Sequence, residues 1–252
     1  MSTPIAIQLY TVREALARDF EGTVRRIAEI GYAGVEPFPS PSIRPREASE
    51  LFRSLGLAVP SVHVAMPDGP QGEEVLETAD VLGCSRIVSG LGAEHYRSLE
   101  QVKRSCERFN KASKIASAHG LSFGIHNHWW EFEPVEGRYP YQVMMEYLDP
   151  SVFWEIDTYW VKTAGLDPAR VLRELGERVP LLHIKDGPAV KGEPMVAVGQ
   201  GSLDVPRIIE AGDGQAEWLI VELDSSATDM MEAVEESYRY LVEEGLGRGT
   251  TG

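Results

Sequence analysis

The stretch Leu121–Pro134 reads LSFGIHNHWWEFEP. It opens as an apolar strand and closes on two histidines, His126 and His128, with two tryptophans and two glutamates directly behind them. Alternation with a period of two turns both imidazoles to one face of such a strand. A strand whose C-terminal end changes from apolar to ionisable fits a parallel α/β barrel, where functional groups gather at that end.

Outward from this stretch the same rhythm recurs. Strand patterns fall at Pro4–Tyr10, Ala33–Phe38, Leu57–Val64, Ser85–Gly90, Leu121–His128, Val152–Trp160, Val179–Asp186 and Glu217–Asp224. Helical patterns separate them. Asp19–Gly31 has Asp19 as an N-cap and Gly31 as a stop, and Pro45–Gly56 carries proline near its start. Eight strand–helix units, one per roughly 30 residues, predict a single (β/α)8 TIM barrel over residues 1–252, with 246–252 as a frayed tail. No GxGxxG follows the first strand, so an open, doubly wound nucleotide-binding sheet has little support.

Composition closes off other classes. The chain is 43% hydrophobic, enough for a large core, yet no run of about 18 apolar residues predicts a membrane span. MSTPIAIQLY lacks the basic and long apolar regions of a signal peptide, and Cys84 and Cys106 stand in no metal-like spacing. Both features fit a cytoplasmic protein with reduced thiols. A net charge of -15 repels nucleic acid and anionic membranes and is compatible with a homo-oligomer. The acidic run Glu73–Asp80 reads as a solvated helix face.

In a barrel, the strand ends carry Gln8 and Tyr10, Glu36, His63, His126 and His128, Glu155 and Asp157, His183 and Lys185, and Glu222 and Asp224. Buried charges at that density need partners. The acids outnumber the cations, since Glu36, Glu155, Asp157, Glu222 and Asp224 face Lys185 and titratable histidines. One divalent metal ion resolves the imbalance, and carboxylate plus imidazole suits Mn, Co, Zn, Fe or Mg.

IAIQLYTVRE, AEIGYAGVEPF, FGIHNHWWEFEP, EIDTYWVKTAGLDP, LLHIKDG, VGQGSLD and WLIVELD follow one another in a telling order. The series resembles the xylose isomerase-like TIM barrel superfamily, in the sugar isomerase/epimerase branch that includes D-tagatose 3-epimerase and inosose dehydratase. The resemblance implies one metal held by Glu, Asp, His and Glu from four successive strands. By motif the ligands are Asp157, His183 and Glu222, with His126 standing where the family has its first Glu. It also implies proton abstraction next to a carbonyl through a metal-stabilised enediolate. Glu222 is the first candidate base, followed by Glu155 and His126, and Lys185 would serve an enolate oxygen or a leaving group. Gln8, Glu36, His63, His128, Trp129 and Trp160 are the expected substrate contacts, whereas Glu131 and Glu133 are expected to lie too far along the loop.

The leading expectation is a sugar or cyclitol isomerase or epimerase. The alternative is a keto-sugar or inosose dehydratase or lyase using the same site. A nuclease like endonuclease IV needs more histidine ligands than six histidines leave available. A non-catalytic sugar-binding subunit is the remaining class. Few Lys and Arg fall at the strand ends, which favours an unphosphorylated polyol.

Overall fold

Eight short parallel strands alternate with helices along the chain in a computed structural model that describes residues 2–250. The strands are β1 (Ile5–Gln8), β2 (Gly34–Glu36), β3 (Val62–His63), β4 (Arg86–Ser89), β5 (Ser122–His126), β6 (Phe153–Asp157), β7 (Leu181–Ile184) and β8 (Trp218–Val221). They pair in the order β2-β1-β8-β7-β6-β5-β4-β3, every ladder parallel. This is a (β/α)8 TIM barrel that is nearly closed.

The seam between β2 and β3 has a chemical cause. The expected strand Leu57–Val64 contains Pro60, which has no N–H to give to a ladder. Regular pairing shrinks to Val62–His63, and the seam is held by single links: Val35 N donates to Ala58 O at 2.9 Å, and His63 N to Pro37 O at 2.9 Å.

The barrel interior has two storeys. The lower one is a dry cluster of Ala6, Val88, Phe153, Leu181 and Ile220, closed by Trp218. Gly124 makes room for it, because a Cβ there would sit 2.1 Å from the Phe153 ring. The upper storey, two residues further along the same strands, is ionisable. A larger apolar cluster packs the helices against the outside of the strands.

Every strand ends earlier than its sequence pattern suggests, and three of them show the cause. The pattern Pro4–Tyr10 stops at Gln8, whose side chain accepts from Tyr10 N at 3.1 Å and starts a 3-10 turn over Leu9–Val12. The pattern Val152–Trp160 stops at Asp157, which accepts from Trp160 N at 3.0 Å and opens a short helix over Thr158–Thr163. The pattern Leu121–His128 stops at His126, so His128 leaves the strand and its alternation. In each case a polar side chain captures the backbone N–H groups that a longer strand would have needed.

The tail expected to fray is instead tied down as far as Thr250. Arg248 O accepts from Ile5 N at 2.9 Å, and Thr250 N donates to Gly31 O at 2.9 Å. Residues 251 and 252 lie outside the described residues. Cys84 and Cys106 are buried free thiols. Among the described residues no helix is long and apolar enough to cross a membrane.

Candidate active site

At the base of the upper storey sits Glu36, fully buried. Gln8 Nε2 donates to its Oε2 at 2.7 Å and Ser61 Oγ to its Oε1 at 2.5 Å, while His183 Nε2 lies 2.7 Å from Oε2. Gln8 and Glu36 therefore lie beneath the mouth, holding an imidazole in place. Above them, Glu155 Oε2 meets His63 Nε2 at 2.5 Å, His126 Nδ1 at 3.2 Å and His183 Nε2 at 3.2 Å. His183 Nδ1 reaches Glu222 Oε2 at 2.7 Å. Lys185, 1% exposed, places Nζ 2.8 Å from Asp157 Oδ2, 2.8 Å from Glu222 Oε2 and 2.7 Å from Asp224 Oδ2.

The electrostatics follow from burial and charge count. Burial raises Glu36 to about 7, aided by the nearby Glu155 charge. Burial likewise lifts Asp157 to about 6 in spite of Lys185. Burial pushes Glu155 and Glu222 the same way but is overridden: His183 and His63 hold Glu155 well below its usual range, and Lys185 and His183 do so for Glu222. His183 is raised well above the ordinary histidine value because Glu155, Glu222 and Glu36 outweigh its burial. His126 goes the other way, since burial holds it neutral. Burial and the Lys185 charge lower His128 to about 4.

The donor set fits a cation. His126, Asp157, His183 and Glu222 offer ligand atoms that all lie within 4.8 Å of one another, and so do His63, His126, Glu155 and His183. His126 Nδ1 and Glu155 Oε1 are buried without a hydrogen bond, a costly state that a bound ion would relieve.

The remaining expected residues spread over the mouth. His128 is half-buried, stacked on Trp130 at 4.2 Å, with its ring 5.2 Å from that of His126. The Trp129 and Trp160 rings pair at 4.9 Å, and Lys185 Nζ lies 5.4 Å from the Trp160 ring centre. A cavity of about 460 Å³ opens beside them, lined by His63, Ser89, His126, His128 and Trp130 among others, with no Lys or Arg among its lining residues.

Two residues outside the expected site support it, one of them Glu131, which the sequence reading set too far along the loop. Asn127 clamps Asp157: its Oδ1 accepts from Asp157 N at 2.9 Å and its Nδ2 donates to Asp157 O at 3.2 Å. It sits between two histidines, on the face that alternation assigns away from the site. Glu131 is fully buried and accepts from His128 N at 2.9 Å, with burial raising its carboxyl to about 8. The 3-10 turn Trp130–Phe132 folds it back beneath the loop, and no periodicity signals such a turn. Asp186 also plays a structural part, accepting backbone N–H groups from Gly187, Gly199, Gly201 and Leu203 and so pinning the loop after β7.

With this geometry in hand, the xylose isomerase-like TIM barrel model matches residues 24–243. The chain belongs to that family. No curated protein matches it. Among solved structures, a sugar phosphate isomerase/epimerase from Parabacteroides distasonis is 24% identical, with 96% of this chain and 94% of that one covered at a TM-score of 0.81. A probable 3-DHS dehydratase from Bacillus anthracis is 13% identical, covering 95% and 98% at 0.76. The IOLI protein, solved with a zinc atom, is 15% identical, covering 98% and 98% at 0.73. At these identities the likeness establishes the shared barrel.

Proposed function

We propose that the protein is a metal-dependent isomerase or epimerase of a sugar or cyclitol, acting by proton abstraction next to a carbonyl. The observation that carries this reading is the convergence of His126, Asp157, His183 and Glu222 at the C-terminal ends of the strands. Family membership agrees with it, and the structural neighbour from Parabacteroides distasonis is a sugar phosphate isomerase/epimerase. His126 and His183, with carboxylates from the same cluster, would hold a divalent ion, and that ion would supply Lewis-acid stabilisation of developing negative charge.

The protein's own groups divide the remaining work. Glu222 stays ionised between Lys185 and His183 and is the proposed base. Lys185 faces the same oxygen of Glu222 and can return a proton or steady a developing enolate. Asn127 fixes Asp157, and Glu36 with Gln8 fixes His183. Trp129 and Trp160 form an aromatic wall at the mouth, suited to the apolar face of a sugar ring. The cavity beside His128 offers no cationic side chain for a phosphate, which supports a neutral polyol.

A second reading, loss of water from a keto-sugar or inosose, is favoured by the ammonium beside the base, since Lys185 could protonate a departing hydroxyl. Incubation with unphosphorylated keto-sugars and inososes in deuterated water separates the two. Deuterium at the carbon next to the carbonyl without net loss of water is the expected result. Elimination product would instead favour the dehydratase. No exchange and no product across the panel would count against both.

A further inference from the structure

The loop after β2 is a part of the mouth that the proposed chemistry leaves unused. Residues 37–45 read PFPSPSIRP, with prolines at Pro37, Pro39, Pro41 and Pro45. Each proline removes an N–H donor and fixes its own φ, so the loop is stiff and poor in groups that hold water. Two of its remaining donors turn inward: Ile43 N donates to Ser40 O at 3.0 Å and Ser42 N to Ser40 Oγ at 3.3 Å. The loop is a preformed wall.

A cavity of about 500 Å³ lies between this wall and the helix Gly72–Leu82. Its origin is the seam between β2 and β3. His63 N still donates to Pro37 O at 2.9 Å, but Val64 N, one residue on, pairs with Val88 O on the other side at 2.9 Å. The two chains part there and leave the cavity between them. Ile43, Val62, Val75 and Leu82, all buried, line it together with the half-buried Phe38 and Val64. Gln71, Glu74 and Thr78 add a few polar groups on the helix side, and no Lys or Arg is among the lining residues. An apolar cavity of about 150 Å³ already holds benzene, and ligand pockets of roughly 300–1,000 Å³ combine apolar walls with few polar groups in this way.

The cavity is continuous with the mouth. His63, Val64 and Ala65 line both it and the cavity beside His126 and His128. Phe38 packs edge-on against Tyr10 at 5.3 Å, which carries the apolar lining out to the end of β1.

We infer that this cavity is a subsite for an apolar substituent, and that the substrate is a sugar or cyclitol derivative carrying one, such as an aryl or benzyl group, in place of a bare polyol. This rests on the isomerase or epimerase reading above. The polar ring takes the mouth beside His126 and His128, and the substituent reaches past His63 to lie between Phe38 and the helix. Burying an aromatic group there supplies binding energy remote from the reacting carbon.

The test has a binding arm and a kinetic arm. In the first, para-fluorobenzyl alcohol is titrated with protein and followed by fluorine NMR. Wild type should bind it. Thr78→Phe, which places a ring in the cavity, should weaken that binding by more than about tenfold. Gln71→Trp, at an exposed position of the same lining, should weaken it too and guards against a folding defect in the first variant. In the second arm, deuterium exchange into each keto-sugar and inosose is compared with exchange into its mono-O-benzyl ethers. One ether should show kcat/KM more than about tenfold above its parent. Thr78→Phe should bring that ratio to near one and leave exchange into the parent unchanged. Exchange into the parents with no gain from a benzyl group overturns the inference and leaves the reaction assignment standing. So does alcohol binding that is absent or indifferent to both substitutions. No exchange into either set overturns the reaction assignment, and the substrate assignment with it.

Discussion

The two storeys of the barrel are built from the same strands and differ completely in chemistry. On β6, Phe153 points into the lower storey and Glu155 into the upper; on β7, Leu181 is followed by His183; on β8, Ile220 is followed by Glu222. Two residues along a strand are about 6–7 Å, so dry packing gives way to a charged cluster within one side-chain layer. The lower storey contributes stability by burying apolar surface over a stable strand geometry. The upper storey carries several ionised groups out of water, which costs stability unless each is matched. Its arrangement makes sense for binding and catalysis.

If that division holds, changes in the two storeys must appear in different measurements. The largest effect expected is on turnover. Glu222→Gln should lower deuterium exchange by about 10²–10⁴-fold while thermal unfolding shifts little; near wild-type exchange would remove Glu222 as the base. Phe153→Ala should act in reverse, costing about 3–5 kcal/mol of stability with exchange per folded molecule preserved. Chemical denaturation beside the activity assay decides it, and a loss of exchange matching Glu222→Gln would erase the division.

Gly124→Ala tests the plug more gently. Its new Cβ would clash with the Phe153 ring, so the ring must shift, at about 1–3 kcal/mol; an unchanged melting temperature would mean that the lower storey has slack. The smallest effect concerns Glu131, under the loop. Its folded carboxyl titrates near about 8 against 4.5 for the free group. Between those values the folded protein holds a proton that the unfolded chain has released, so stability falls as pH rises through the window. Glu131→Gln should flatten that slope by up to about 1.4 kcal/mol per pH unit. Denaturation at about pH 5.5 and about pH 7.5 reads it, and parallel slopes in both proteins would refute the burial argument.

Much of this architecture was legible in the chain. Eight alternations of apolar strand and helix, capped by residues such as Asp19 and Asp204, reveal a parallel barrel because each strand buried on both faces reads as a short apolar run. The strand-end residues His126, Glu155, Asp157, His183 and Glu222 were legible too, since polar groups that interrupt such runs at the same end must converge when the sheet closes. What lay outside the strands was harder. Periodicity says nothing of a residue well after the chain leaves the sheet, and His128, Trp160 and Glu131 each lie two or more residues beyond a strand end.

The sequence by itself determined the barrel, the end at which its site forms and the residue types gathered there, because those depend on local patterns with a fixed period. The tertiary structure decided which ring nitrogen of His126 and His183 faces which carboxylate. It also set Lys185 among three carboxylates and buried Glu131 beneath the mouth. These are contacts between groups far apart in the chain, and their geometry exists only once all eight strands have set one another's positions.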